Sequence, residues 1–133
     1  MSNSILKNKK IVNVFSIDEG LLIHTQFDGF FKLQNGSLIK FNTDADSEIA
    51  ASSIYSSQIL SNGSFAIGTV SNGVFIMSRE GKVKYHITQH KGLTNNTVLS
   101  IFEDFDKNLW LGLDNGINCI NLTSPIRSFY DDT

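Results

Sequence analysis

Asp104, Asp106 and Asn108 set three oxygen-bearing side chains at alternate positions in "EDFDKN", the spacing with which a calcium loop begins. The pattern then fails. Its sixth position is Leu109, where a glycine makes the sharp turn, and its twelfth is Asn115, where a glutamate closes the shell. An aspartate-led hairpin turn accounts for the same residues, because Asp and Asn side chains accept hydrogen bonds from the backbone just ahead of them. His24, His86 and His90 lack the paired spacing of a zinc site, and none has a serine or cysteine partner in a nucleophile motif. Asp28, Asp44, Asp46 and Asp114 would serve glycoside chemistry only if the fold converged two of them. Cys119, the one cysteine, lies in the apolar run "INCINL" and reads as a small buried hydrophobe with no intrachain disulfide. No catalytic residue, metal or cofactor is expected.

The chain that must position these groups has 133 residues, 41% hydrophobic and 18% charged, which suits one domain with a real core. Its net charge of −2 comes from 11 basic and 13 acidic residues scattered along the chain, so no basic face is available for a nucleic-acid backbone. Lys7, Lys9 and Lys10 form the one local basic cluster and read as a solvated leader. No stretch approaches the roughly 20 apolar residues of a membrane span, and "MSNSILKNKK" lacks the apolar segment of a secretory signal, which for an exported parent would lie outside this chain.

The chain matches itself. "LLIHTQFDG", "FAIGTVSNG" and "LWLGLDNG" align with Ile23, Ile67 and Leu111 in register, 44 positions apart each time, the last copy one residue shorter at its turn. Before each stands a β-branched or apolar run ("IVNVFSID", "IYSSQIL", "TVLSIFED") that ends in a polar turn. After each, Gly29, Gly73 and Gly116 open "FFKLQ", "VFIMS" and "INCIN", and further turns at Asn35-Gly36, Glu80-Gly81 and Thr123-Ser124-Pro125 lead to a fourth run. Asn-Gly and Asp-Gly supply the positive φ that tight hairpins demand. Pro125 suits the edge of a strand, where a missing N–H costs no ladder bond.

Four short antiparallel strands per unit at this period specify β-propeller blades. The chain is therefore expected to be all-β: three four-stranded antiparallel sheets of a partial propeller, at about residues 11–42, 54–87 and 97–130, with essentially no helix. Blades pack between neighbours, so Leu109 and Leu111 are expected to face one neighbour and Trp110 the other, as core. Gly68, Gly73, Trp110, Gly112 and Gly116 are repeat residues with structural duties. The outer faces of the first and last blades are expected to carry Val14, Leu22, Phe31, Leu109 and Leu111 without a neighbour.

In such a blade the segment leading into the first strand and the turn between the second and third lie at one end. That rim gathers "NTDADSEIAASS" (42–53), "TQHKGLTNN" (88–96) and the hairpin turns, where rigidly carried loops tend to hold binding groups. The ligand-contact candidates are His24, Gln26, Asp28, Asn72, His90, Lys91, Asn95, Asp114 and Asn115.

The stretch "GLTNNTVLSIFEDFDKNLWLGLDNGINCI" (92–120) resembles the two-component regulator propeller repeat. It carries that family's Gly-Leu-x-x-Asn loop (Gly92, Leu93, Asn96), its Val-x-x-Ile strand (Val98, Ile101), its acidic turn (Glu103, Asp104), Asn-Leu-Trp-x-Gly (Asn108 to Trp110, Gly112) and Asn-Gly (Asn115, Gly116). The second unit keeps Gly68, Thr69, Asn72 and Gly73; the first keeps Thr25, Asp28 and Gly29, with His24 where the glycine belongs. The resemblance implies a sensor region of Bacteroidetes hybrid two-component sensors or related one-component regulators, periplasmic, tuned to glycan-derived ligands, with further blades and signalling domains elsewhere in the parent chain. It carries no catalytic or ligand residue across. A propeller lyase or glycosidase and a protein-interaction scaffold are the alternatives. Self-association of the chain alone, as a dimer, is also expected.

Overall fold

The computed structural model describes residues 6–122 together with the backbone of Arg127–Ser128. The first sheet comprises β1 (Ile11–Ile17), β2 (Gly20–Thr25), β3 (Phe30–Gln34) and β4 (Ser37–Phe41). The second comprises β5 (Ile54–Ile59), β6 (Phe65–Thr69), β7 (Val74–Met77) and β8 (Val83–Ile87). The third comprises β9 (Val98–Glu103), β10 (Leu109–Leu113), β11 (Gly116–Ile120) and β12 (Arg127–Ser128). Each is an antiparallel meander in which sequence neighbours are spatial neighbours, the arrangement that closely spaced turns permit. The turn at Thr123-Ser124-Pro125 lies outside the described residues.

The sheets stack through two apolar clusters. Leu22 and Phe30 of the first sheet meet Phe65, Ile67, Phe75 and Met77 of the second. Ala66, Val74 and Ile76 on the second sheet's other face meet Leu109, Leu111, Leu113 and Ile120 of the third. The middle strands β6 and β7 are consequently buried along their whole length, which is why they read as unbroken apolar runs. Gly68 permits this closeness: a Cβ there would press on Ser56 Oγ and stand 2.8 Å from Val98 Cγ1 of the next sheet. Gly73 has a φ of 70° and abuts the Ile87 carbonyl, so two constraints select glycine there.

Two expectations need correction. Leu22, Leu109 and Leu111 lie in the clusters between sheets, not on the outer faces. Side-chain alternation turns their strand neighbours outward instead. On the third sheet's outer face Trp110 pairs across strands with Phe102 and Cys119; Phe102 is 64% exposed and Ile117 on the same face 47%, while Trp110 is half-buried. On the first sheet Val14, Ile23 and Phe31 share the outer face, with Val14 exposed but Phe31 buried.

The second correction is a helix, α1 (Asp46–Ser52), in the connection expected to be irregular. Ala45 and Ile49, four residues apart, are both buried against the first cluster, and that spacing puts them on one helical face. Asp46 Oδ1 accepts from the Thr43 amide at 3.1 Å and its hydroxyl at 2.7 Å, and Asp46 and Glu48 sit in the first turn, where the helix dipole favours acids. Ser53, at φ 63°, ends it.

Candidate functional site

The rim is built by repetition. Thr25 Oγ1 donates to the Gly29 carbonyl at 2.8 Å and accepts from the Asp28 amide at 3.0 Å; Thr69 does the same with Gly73 (2.8 Å) and Asn72 (2.9 Å). One hydroxyl thus fixes this turn in the first and second sheets, while Leu113 stands at the matching position of the third. Backbone bonds then link turn to leading segment: Gln26 N to Lys10 O, Ile54 N to Gln26 O, Gly73 N to Asn96 O and Asp114 N to Thr97 O, between 2.8 and 3.1 Å. Thr97 Oγ1 adds a donation to Val70 O at 2.6 Å.

The segment before β9 is the most elaborate part of the rim. Gln89–Lys91 forms one 3-10 turn, with His90 and Lys91 exposed and Gly92 in the left-handed region. Asn96 Oδ1 accepts from Gln89 N at 2.7 Å, and Asn95 Oδ1 accepts from Thr97 N at 2.9 Å. Beneath them stands Asn118, fully buried, whose Oδ1 accepts from Thr94 N at 2.8 Å and whose Nδ2 donates to Thr94 Oγ1 at 2.9 Å. Sequence reasoning passed over Asn118; an asparagine inside the apolar run "INCI" was the available signal, since a buried amide needs partners.

Of the rim candidates, Asp28, His90, Lys91, Asp114 and Asn115 are exposed, while Gln26, Asn72 and Asn95 are half-buried. Asp28 pairs with Lys9 at 3.5 Å, so that lysine docks on the rim instead of trailing in solvent. His24 does not reach the rim surface. It is buried among Phe15, Phe30 and Phe65, with ring centroids 4.9, 4.6 and 5.8 Å away, all edge-to-face, and neither ring nitrogen has a hydrogen-bond partner among the described residues. Burial pushes its pKa down to about 3, so the ring is neutral. Position 24 follows Leu22 by two, and period-two alternation carries it into the same core.

Asp44 and Asp46 also leave the rim. Asp44 meets the second sheet's outermost hairpin, its amide bonded to Gly81 O at 2.9 Å and its carboxylate to Val83 N at 3.3 Å, and Asp46 serves Thr43. Asp28 and Asp114 remain, on the first and third sheets. Among the described residues no group of three or more His, Cys, Asp or Glu could hold a metal.

The Asp104 turn is an Asx-stabilised hairpin. Oδ1 accepts from the amides of Asp106 and Asn108, each at 2.9 Å, and Oδ2 accepts from Trp110 Nε1 at 2.8 Å. The indole bond first, then the Asn108 amide, hold this carboxyl below its usual range. These are the Asp, Asn and Trp of the repeat pattern, joined into one unit, and residues 92–120 match the family model of the two component regulator propeller.

The third sheet, through β11, is thus similar to a regulator propeller repeat. A 65-residue stretch is 37% identical to Histidine kinase P4 of Formosa agariphila, covering 49% of this chain and 5% of the kinase. The extracellular domain assigned to a hybrid two component system of B. thetaiotaomicron superposes with a TM-score of 0.71 at 18% identity, over 98% of this chain and 18% of that one. A virginiamycin B lyase of Staphylococcus aureus superposes at 0.65 and 16% identity, over all of this chain and 44% of the lyase. At those identities the structural likeness is one of fold. This chain spans a small part of the kinase and less than half of either solved chain. Of the other repeat residues, Gly112 lies on β10 with Trp110, and Gly116 opens the next strand, β11.

Proposed function

We propose that the chain is a non-enzymatic sensory segment of a two-component-type signalling receptor, lying outside the cytoplasm and supplying three blades, about 11–42, 54–87 and 97–130, to a larger propeller. The observation that carries this reading is the repeat at 92–120 ending in a sheet whose outer face still presents Phe102 and Ile117. A further blade of the parent would cover that face as the third sheet covers Ala66, Val74 and Ile76 of the second. The exposed polar rim, with His90, Lys91, Asp114 and Asn115, is the surface offered to a ligand, and a glycan-derived molecule suits its mixture of donors and acceptors.

The lyase or glycosidase alternative needs carboxylates facing one another across a bond. Asp44 and Asp46 are engaged elsewhere, and Asp28 and Asp114 are separated by the whole second sheet. The deciding experiment places the parent receptor under a transcriptional reporter and replaces His90, Lys91 and Asp114 together by alanine. Loss of ligand-induced output with normal protein level supports the rim as the sensing surface. Turnover of a glycan by the purified protein would overturn the non-enzymatic reading.

A further inference from the structure

Two clefts open between adjacent sheets at the end opposite the rim, beside the first turn of each blade. They occupy equivalent places: Ile17 and Phe65 at the first match Ser61 and Leu109 at the second, 44 residues on. The second cleft, about 290 Å³, is stapled across the sheets. Ser61 donates to Glu103 through its amide at 2.7 Å and through its hydroxyl at 2.9 Å. In the first cleft the matching residues are Ile17 and Ile59, which pack against the apolar cluster and make no such bond.

The unstapled cleft is larger, about 450 Å³, within the usual range of small-molecule sites, roughly 300 to 1,000 Å³. Its floor is apolar: Ile17, Leu22, Phe41 and Phe65. Its walls bear Asp18, Glu19 and Lys32 from the first sheet, and Arg79 and Glu80 from the hairpin between β7 and β8. No ion pair joins these five charges among the described residues. Lys32 Nζ rests 5.4 Å above the Phe41 ring instead, which pre-positions the ammonium over the floor.

We propose that this cleft binds a small zwitterion with an apolar body, of about dipeptide size. A simple anion meets three carboxylates against two cations, and a simple cation meets Lys32 and Arg79. A molecule carrying both charges places its carboxylate with Lys32 and Arg79 and its ammonium with Asp18, Glu19 and Glu80, and its side chains cover the floor. The site rests on the cleft's own residues and stands apart from the sensor reading.

Titration calorimetry with unblocked phenylalanylleucine tests it, alongside the same peptide acetylated and amidated, and galacturonic acid as a sugar anion. Binding of the free peptide, at least about tenfold weaker for the doubly blocked form, is expected, since each charged hydrogen bond lost is worth about that factor. Arg79→Ala, at an exposed turn, and independently Lys32→Met are each expected to weaken it about tenfold. Ser61→Ala in the other cleft and His90→Ala on the rim leave it unchanged, which separates failure of this site from failure of the rim. Methyl shifts at Ile17 and Leu22 on titration place the peptide in the cleft. No binding, equal binding of free and blocked peptides, preference for galacturonic acid, or indifference to both charge substitutions would overturn the proposal.

Discussion

Trp110 Nε1 donates to Asp104 Oδ2 at 2.8 Å, so the signature aromatic of the repeat is bonded to the acid that shapes its own hairpin. The ring is half-buried on the outer face of the third sheet, and its truncation costs less than the roughly 3 to 5 kcal/mol of a fully enclosed aromatic. Trp110→Ala is expected to lower stability by about 2 kcal/mol in denaturant titration, and native emission to lie between buried and hydrated indole.

The same pair sets an acid-side dependence. Asp104 has a lowered folded pKa, so its contribution is present above the unfolded value and is lost as pH falls through the folded one. Asp104→Asn keeps a side-chain acceptor yet removes the titration. Thermal midpoints recorded from neutral pH downward are expected to fall less steeply for this variant than for the parent.

His24 acts in a higher window. Its unfolded state takes up a proton near pH 6.5 while the folded ring resists until about 3. Stability therefore is fully present above 6.5 and declines as pH falls from 6.5 towards 3, by up to roughly 1.4 kcal/mol per pH unit. His24→Phe, placed among three other phenylalanines with no polar atom to desolvate, is expected to flatten that slope without lowering stability at pH 7. A His24→Phe protein as acid-sensitive as the parent over this range would assign the slope elsewhere.

Position 24 also shows what the sequence made legible and what it hid. The 44-residue period and the Asn-Gly turns were enough to reveal three four-stranded sheets, because hairpin chemistry is local and repeated. Which side of a sheet Leu22, Leu109 and Leu111 occupy depends on which neighbour is present, and that is not local. His24 looked polar and turn-proximal, although alternation with Leu22 already placed it in the core. Before β9 the helix Asp46–Ser52 is matched only by the single 3-10 turn Gln89–Lys91, so the periodicity that revealed the strands concealed it; only the Ala45–Ile49 spacing and the leading acids marked it. The hairpin reading of Asp104 followed from failed ligand positions, but its bond to Trp110 needed the cross-strand geometry.

Gly68 is expected to tolerate nothing larger. Its repeat partner is the large His24, yet an added Cβ at Gly68 would stand 2.8 Å from Val98 Cγ1 and 3.0 Å from Val98 O, and would crowd the Ser56 hydroxyl that donates to that carbonyl at 3.1 Å. The backbone and β-branched side chain of Val98 leave little room to yield. Gly68→Ala is expected to cost about 1 to 3 kcal/mol as overpacking between the second and third sheets, measured by urea unfolding. An unchanged midpoint would mean that the sheets separate more easily than their shared cluster implies.

The exposed outer faces make a last prediction for the chain on its own. Phe102 and Ile117 on the third sheet and Val14 on the first are 64%, 47% and 47% exposed, and Phe102 and Ile117 flank a half-buried tryptophan on a face built to be covered. Within the chain the second sheet already offers one face to the first sheet and the other to the third, so the first sheet of a second copy has the right architecture to cover the third sheet of the first copy. Closure at two copies gives six blades, inside the roughly four to eight of closed propellers, and a two-fold axis makes both contacts equivalent. A dimer is therefore expected in sedimentation equilibrium at micromolar concentration. Phe102→Lys with Ile117→Lys is expected to return it to the 14.8 kDa monomer with an unchanged β-rich circular dichroism spectrum. Persistence of the dimer in that variant would place the contact elsewhere, and a monomeric parent that binds no apolar reporter dye would show that these faces are covered within a single chain.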